Sequence, residues 1–220
     1  MSSGPCSQAP PPPATRRRVP ARGVRLKRYD RAYFDRWYRI RRIGSQADLL
    51  RAVAVAIALT EQVLARPLRS VLDVGAGEGR WQPVLHRLRP KARYAGVDSS
   101  RWAVSRWGTR RNLRLGSIDA LDQLGFDSRY DLIIAADVCH YLPTPVLQRG
   151  DRQIALLLGG VAFLPTFTAD DEIEGDRAQF QRRRAPTYRR IFAAAGLAPI
   201  GMQAWVTRDT RARLSALERC

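Results

Sequence analysis

The sequence predicts an α/β protein built on a largely parallel sheet, and three observations carry that expectation. From residue 70 onward, short apolar or β-branched runs alternate with helix-patterned segments, the rhythm of repeated strand and helix units. The run Tyr130 to Ala136, YDLIIAA, is apolar almost throughout, as a strand covered on both faces must be. The stretch Val71 to Trp81, VLDVGAGEGRW, reads as strand, tight turn and helix start, with Gly75, Gly77 and Gly79 at alternate positions. Glycine belongs where φ is positive or where a ligand comes close to the backbone. At 220 residues the chain is long enough for one such domain with appendages, and a core of that size needs no staples.

The elements follow in order. Residues 1–28 are rich in proline, serine, alanine and arginine, with PPPP at 10–13 and RRR at 16–18; too few apolar side chains are present to offset the ordering entropy, so a disordered tail is expected. Residues 29–66 are expected to be helical. Within YDRAYFDRWYRIRRI, Tyr33, Trp37 and Ile40 fall on one helical stripe with Phe34 and Tyr38 beside it. Ser45 and Asp48 have the spacing of a capping box, ahead of a helix that carries Leu49, Leu50, Val53, Ile57, Val63 and Leu64 at helical spacing and is closed by Pro67. The sheet core is expected over 70–218. Its strands are Ser70 to Val74, Arg93 to Val97, Asn112 to Leu115, Tyr130 to Ala136 and Val161 to Thr166, with Leu197 to Val206 and Ala212 to Leu217 as the last two. Helices are expected after Arg80, Ser100, Thr144 and Pro186, and the charged insertion TADDEIEGDRAQFQRRR after strand five reads as a substrate lid over 168–185.

The glycine stretch carries the function. A dinucleotide fingerprint requires a third glycine at position 80, where the chain has Arg80, and no Gly-Lys-Ser/Thr follows for a phosphate loop. The pattern Asp-x-Gly-x-Gly-x-Gly, Asp73 to Gly79, instead resembles motif I of the class I S-adenosylmethionine-dependent methyltransferases. Asp98 ends the second strand 23 residues beyond Gly75, close to the offset at which an acid reaches a nucleoside ribose. DVCHYL, Asp137 to Leu142, resembles motif IV of the small-molecule members, and it lacks the Asn/Asp-Pro-Pro-Tyr/Phe signature of enzymes that methylate base amino groups.

The resemblance implies a Rossmann-like, seven-stranded, mostly parallel sheet with one antiparallel strand, helices on both faces and an amino-terminal helical lid over the cofactor. It implies S-adenosyl-L-methionine as cofactor, held by Asp73, Gly75, Ala76, Gly77, Gly79, Asp98, Ser99, Ile118, Asp119, Ala136 and Asp137. The acid after the third strand would meet the adenine amino group; Asp119 in GSIDAL holds that place, with a loop aspartate capping the next helical turn as the alternative reading. His140 is the candidate general base, imidazole being poised near neutral pH, with substrate orientation or packing under the lid as its other possible roles. Tyr141, Tyr33 and Trp37 are candidate acceptor contacts. The reaction needs alignment of nucleophile, methyl and sulfur more than acid–base chemistry, and no metal.

Composition bounds the partners. Net charge is +18, and residues 1–44 hold eleven Arg and one Lys against Asp30 and Asp35. Such a segment fits either solvated arginines or docking to nucleic acid or an acidic protein. A small-molecule acceptor is the leading expectation, with nucleic acid the alternative and a catalytically idle cofactor-binding module a third. Cys6, Cys139 and Cys220 lack disulfide or metal spacing, which suggests a reducing, cytoplasmic setting. The longest apolar runs, Ala52 to Leu59 and Ile154 to Leu164, are too short to span a membrane. Nothing in the sequence fixes an oligomeric state.

Overall fold

The computed structural model describes residues 28–214 apart from 42, 127 and 174. The expectations for residues 1–27 and for a strand through 215–217 lie outside the described residues. Seven strands form one sheet: β1 (Ser70–Val74), β2 (Arg93–Asp98), β3 (Leu113–Leu115), β4 (Tyr130–Ile134), β5 (Leu158–Phe163), β6 (Leu197–Gly201) and β7 (Ala204–Thr207). Their spatial order is β3-β2-β1-β4-β5-β7-β6. The first five run parallel, and β7 is antiparallel to both of its neighbours. Chain order reverses between β1 and β4, which opens a crevice at the carboxyl ends of β2, β1 and β4.

Period-two alternation divides the core between the two faces. Val71, Leu132, Ile134, Val161 and Phe163 pack under α2 (Gln46–Leu64), α3 (Trp81–Leu88) and the inner side of α4 (Arg101–Arg111). Leu72, Val74, Ile133, Ala135 and Ala162 face α5 (Thr144–Leu157), α6 (Ala185–Ala194) and the 3-10 turns of Ile118–Leu124. The expected capping box is present: the Asp48 N–H donates to Ser45 Oγ at 3.0 Å and the Ser45 N–H to Asp48 Oδ2 at 3.1 Å. Arg66, just beyond α2, forks onto both oxygens of Asp131 at 2.8 Å and fixes that helix to β4.

The structure corrects three expected boundaries. Gly159 and Gly160 lie inside β5 rather than ahead of it. An added Cβ at Gly159 would stand 3.2 Å from the Tyr130 carbonyl oxygen, and one at Gly160 would run into that of Asp131, so the glycines let β5 approach β4. The carboxyl-terminal strands form a hairpin between 197 and 207, and Ala212, expected to start the last strand, ends the short helix α7 (Arg208–Ala212). The hairpin turns on Met202 and Gln203, both with positive φ, 49° and 59°. That geometry usually announces itself through Asn-Gly or Asp-Gly, and Met-Gln gives no such signal. The first helix, α1 (Arg31–Phe34), continues as a π-helix over Asp35–Ile40, and its wider turn rotates the stripe drawn at 3.6 residues per turn.

Candidate active site

At the crevice lies a cavity of about 390 Å³, within the range of small-molecule sites. One wall comes from the loops after β1 and β2. Gly75 and Gly77 take positive φ, 73° and 55°, and a Cβ at Gly75 would run into the Val138 side chain. The loop folds back onto β2: the N–H groups of Gly75 and Ala76 donate to Val97 O at 2.8 and 3.0 Å, and that of Gly77 to Asp98 Oδ2 at 2.6 Å. These N–H groups are engaged within the protein, so this part of the loop presents a shaped concavity and an acid rather than an anion cradle. Asp98 is 8% exposed, and its other oxygen accepts from the Ser100 N–H at 2.7 Å. Burial raises its pKa while the two backbone donors oppose the rise. A carboxylate oxygen has lone pairs for more than one donor, which leaves acceptor capacity on both oxygens for vicinal hydroxyls. Beneath the loop, the Tyr94 hydroxyl donates to Asp73 Oδ2 at 2.6 Å. Burial pushes the Asp73 carboxyl up to about 7, the Tyr94 bond only partly opposing it.

The facing wall is aromatic. Tyr29, Tyr33, Phe34 and Tyr38 from the amino-terminal segment line it, with Tyr141 from the 3-10 turn Cys139–Tyr141. This segment is fastened to the glycine loop: Arg39 pairs with Glu78 at 2.8 Å, Arg80 donates to Gly44 O at 3.1 Å, and Ser100 Oγ donates to Tyr29 O at 2.5 Å. Phe34 is 2% exposed and stacks on Trp102 with ring centroids 5.1 Å apart. Desolvation in this wall raises all four phenols, Tyr29 and Tyr38 to about 12. All four therefore remain protonated through the physiological range.

Of the residues expected from sequence, the cavity brings together Asp73, Gly75, Ala76, Gly77, Asp98, Ser99, Ala136, Asp137, Tyr141 and Tyr33. Five others stand elsewhere. Gly79, φ 70°, closes the loop by donating to Ala76 O at 2.7 Å and lies against Leu113 and Arg111. Ile118 is buried in the core beside Gly150, and Asp119 pairs with Arg149 at 2.7 Å while accepting from Ser117 Oγ at 2.5 Å; the 3-10 turns carry both toward α5. Trp37 is rotated out by the π-helical turn and lies under the Arg41 guanidinium, 5.2 Å from its ring centroid. His140 is 1% exposed, packed against Tyr141, Phe167 and Phe180, with its Nδ1 accepting from the Phe167 N–H at 3.3 Å. The imidazole is thus enclosed beside the cavity, among aromatic rings. The expected lid, 168–185, packs on that same turn through Gln181 N to His140 O at 2.8 Å and Tyr141 OH to Asp176 O at 2.7 Å.

Tyr29, Glu78 and Arg80 gave no signal in the sequence, and Phe34 and Tyr38 read only as neighbours of the helical stripe. Tyr33 and Tyr38 stand five residues apart, a step that the π-helical turn over Asp35–Ile40 brings onto one face and a 3.6-residue template does not. Among the described residues no group of three or more His, Cys, Asp or Glu could hold a metal, and no helix is long and apolar enough to cross a membrane.

The sheet order, the crevice and the glycine loop define a Rossmann-like nucleotide-site architecture with the antiparallel strand of the class I methyltransferase fold. A family model described as a methyltransferase domain matches residues 43–201; the chain belongs to that family. No curated protein matches it in sequence. Among solved structures, the sugar N-methyltransferase KedS8 from Streptoalloteichus sp ATCC 53650 aligns with a TM-score of 0.63 at 17% identity, over 78% of this chain and 92% of its own. DesVI from Streptomyces venezuelae gives 0.61 at 14%, over 78% and 97%. Magnesium protoporphyrin IX methyltransferase from Synechocystis PCC 6803, with bound SAH, gives 0.58 at 20%, over 80% and 93%. At these identities the likeness establishes the fold.

Proposed function

We propose that the protein transfers the methyl group of S-adenosyl-L-methionine to a small-molecule acceptor, in the cytoplasm. The observation that carries this reading is the juxtaposition of Asp98 with the Gly75–Gly77 turn in one cavity, Gly77 N–H to Asp98 Oδ2 at 2.6 Å. When bound, the cofactor supplies an activated methyl on a sulfonium. Asp98 would accept from the ribose hydroxyls, the concavity of Gly75, Ala76 and Gly77 would receive the methionine portion, and Ser99 and Ala136 would complete the wall. Phe34 and the tyrosines would exclude water and hold the acceptor in line. Effective molarity gained by such alignment supplies much of the acceleration in a displacement with a good leaving group. The neighbours KedS8, a sugar N-methyltransferase, and CalS10, an amino pentose methyltransferase bound to SAM, support a small acceptor and this donor.

Calorimetric titration with S-adenosylmethionine and its demethylated product tests the reading. Micromolar binding, on the order of −8 kcal/mol, is expected for the wild type, with at least tenfold weakening in Asp98→Ala. Equal affinities in the two proteins would remove Asp98 from the site.

A further inference from the structure

The carboxylates that line the cavity are Asp48, Asp73, Glu78, Asp98 and Asp137, and four of them are already engaged. Ser45 and Arg51 hold Asp48; Tyr94 holds Asp73; Arg39 and Trp107 hold Glu78; Gly77 and Ser100 hold Asp98. The Asp137 carboxyl has no hydrogen-bond or ion-pair partner among the described residues, while its N–H donates to Pro165 O at 3.0 Å and fixes its backbone. Its φ is 59°, a conformation few non-glycine residues adopt, at a cost on the order of 1 kcal/mol. Resting on the methyl-transfer reading, we infer that Asp137 binds the acceptor and that the acceptor is an amine, which enters as its ammonium.

Topology places the group on the correct side. β2, β1 and β4 lie side by side; Asp98 ends β2, and Gly75 and Asp137 follow the carboxyl ends of β1 and β4. Strands are about 4.8 Å apart, so Asp137 stands two strands, on the order of 10 Å, along the crevice from the ribose-binding acid. The groups facing it are Tyr38 on the π-helical segment and Tyr141 on the following turn, each feeling its charge. Arg80, on the glycine loop, stacks over Tyr38 at 5.2 Å and donates to Gly44 O. A cation beside the Asp137 carboxylate is favoured by charge; an anionic acceptor would meet the acids that line the cavity. Asp137 is exposed to the cavity, and partial desolvation there raises its carboxyl to about 6, so it is ionised at neutral pH.

In the step itself, the Asp137 carboxylate takes one ammonium proton and frees the nitrogen lone pair. That pair forms the C–N bond to the methyl carbon as the C–S bond breaks, its electrons passing to sulfur. The sulfonium becomes a neutral thioether, the methylated nitrogen carries the positive charge, and the proton on Asp137 leaves to solvent.

Asp137→Asn is the informative variant, because asparagine also tolerates the left-handed backbone. Wild type and variant, each saturated with S-adenosylhomocysteine, would be titrated calorimetrically with 2-phenylethylamine and with its neutral isostere 2-phenylethanol. At pH 7.5 the wild type should prefer the amine at least tenfold, and the variant should bind both alike. The wild-type preference should fall severalfold at pH 5, where Asp137 is protonated. Asp73 titrates over the same range but is retained in the variant, which isolates Asp137. Equal binding by the wild type, no amine binding, or a preference that survives in the variant overturns the inference. The S-adenosylhomocysteine affinities, measured first, separate the two readings. A variant within threefold of the wild type keeps Asp137 on the acceptor side, and a tenfold loss moves it to the cofactor and overturns the proposal. A wild type that binds no S-adenosylhomocysteine brings down the methyl-transfer reading itself.

Discussion

The two walls of the cavity are made in different ways. The wall at the ends of β1 and β2 is backbone geometry locked by the sheet: Gly75, Ala76 and Gly77 are tied to Val97 and Asp98 by hydrogen bonds of 2.6 to 3.0 Å. The opposite wall is side chains on irregular helix, a π-helical segment and a 3-10 turn, joined to the first wall through Arg39, Arg80 and Tyr29. A wall of the first kind admits little variation, since each position is fixed by φ or by a close approach. One of the second kind can change its tyrosines without disturbing the sheet.

Gly75→Ala strikes the first wall hardest. The methyl group would run into Val138, and φ of 73° is unfavourable for any residue with a Cβ, at about 1–2 kcal/mol for the backbone alone. Binding of S-adenosylhomocysteine is expected to weaken at least a hundredfold, about 2.7 kcal/mol, with the thermal transition lowered by no more than several degrees. Near-normal affinity in a calorimeter would show that the loop adapts, and the contrast between a rigid and a variable wall would fail.

The acids of the two walls differ as well, and pH exposes it. Asp73 is 2% exposed and raised to about 7 by burial, against about 3.9 in an unfolded chain. Between pH 4 and 7 the folded protein therefore binds the extra proton. This contribution to stability is full below pH 4 and is lost as pH rises through 7. Asp73→Asn should flatten the decline, by an amount on the order of 2 kcal/mol, in urea unfolding followed at pH 5 and 7.5. Asp137, open to the cavity and raised only to about 6, should give a shallower change when replaced by Asn. Equal slopes for the two variants would put both acids in the same environment.

The same division explains what could be read from the sequence. The sheet-borne wall was legible because its requirements have residue signatures: positive φ calls for Gly75 and Gly77, a doubly covered strand for the apolar run of β4, and the carboxyl end of β2 places the acid Asp98 against the glycine turn. Elements set by tertiary contacts left no such mark. Gly159 and Gly160 read as a break before a strand because their reason, the nearness of the Tyr130 and Asp131 carbonyls, lies on another strand. The resemblance points to Ile118 and Asp119 for the adenine, while 3-10 turns and the Arg149 partner draw them toward α5. His140 has the chemistry of a base, but only the packing of Phe167 and Phe180 reveals that it is enclosed.

The smallest expected effect tests the π-helical turn. A regular α-helix would place Trp37 on the stripe with Tyr33, whereas the wider turn puts Tyr38 in the wall and leaves Trp37 half-buried beside Arg41. Replacing Trp37 with Leu removes a ring that is not part of the cavity lining and meets Tyr33 at a centroid distance of 6.5 Å. Affinity for S-adenosylhomocysteine should then change by less than twofold, about 0.4 kcal/mol. Tyr38→Leu, one position on, strips a ring that stacks on Phe34 at 5.9 Å and supports Arg80 at 5.2 Å, and should cost severalfold more. If the two substitutions exchanged ranks in parallel titrations, the segment would be turning as an ordinary α-helix in solution, and the second wall would be built from the Trp37 stripe.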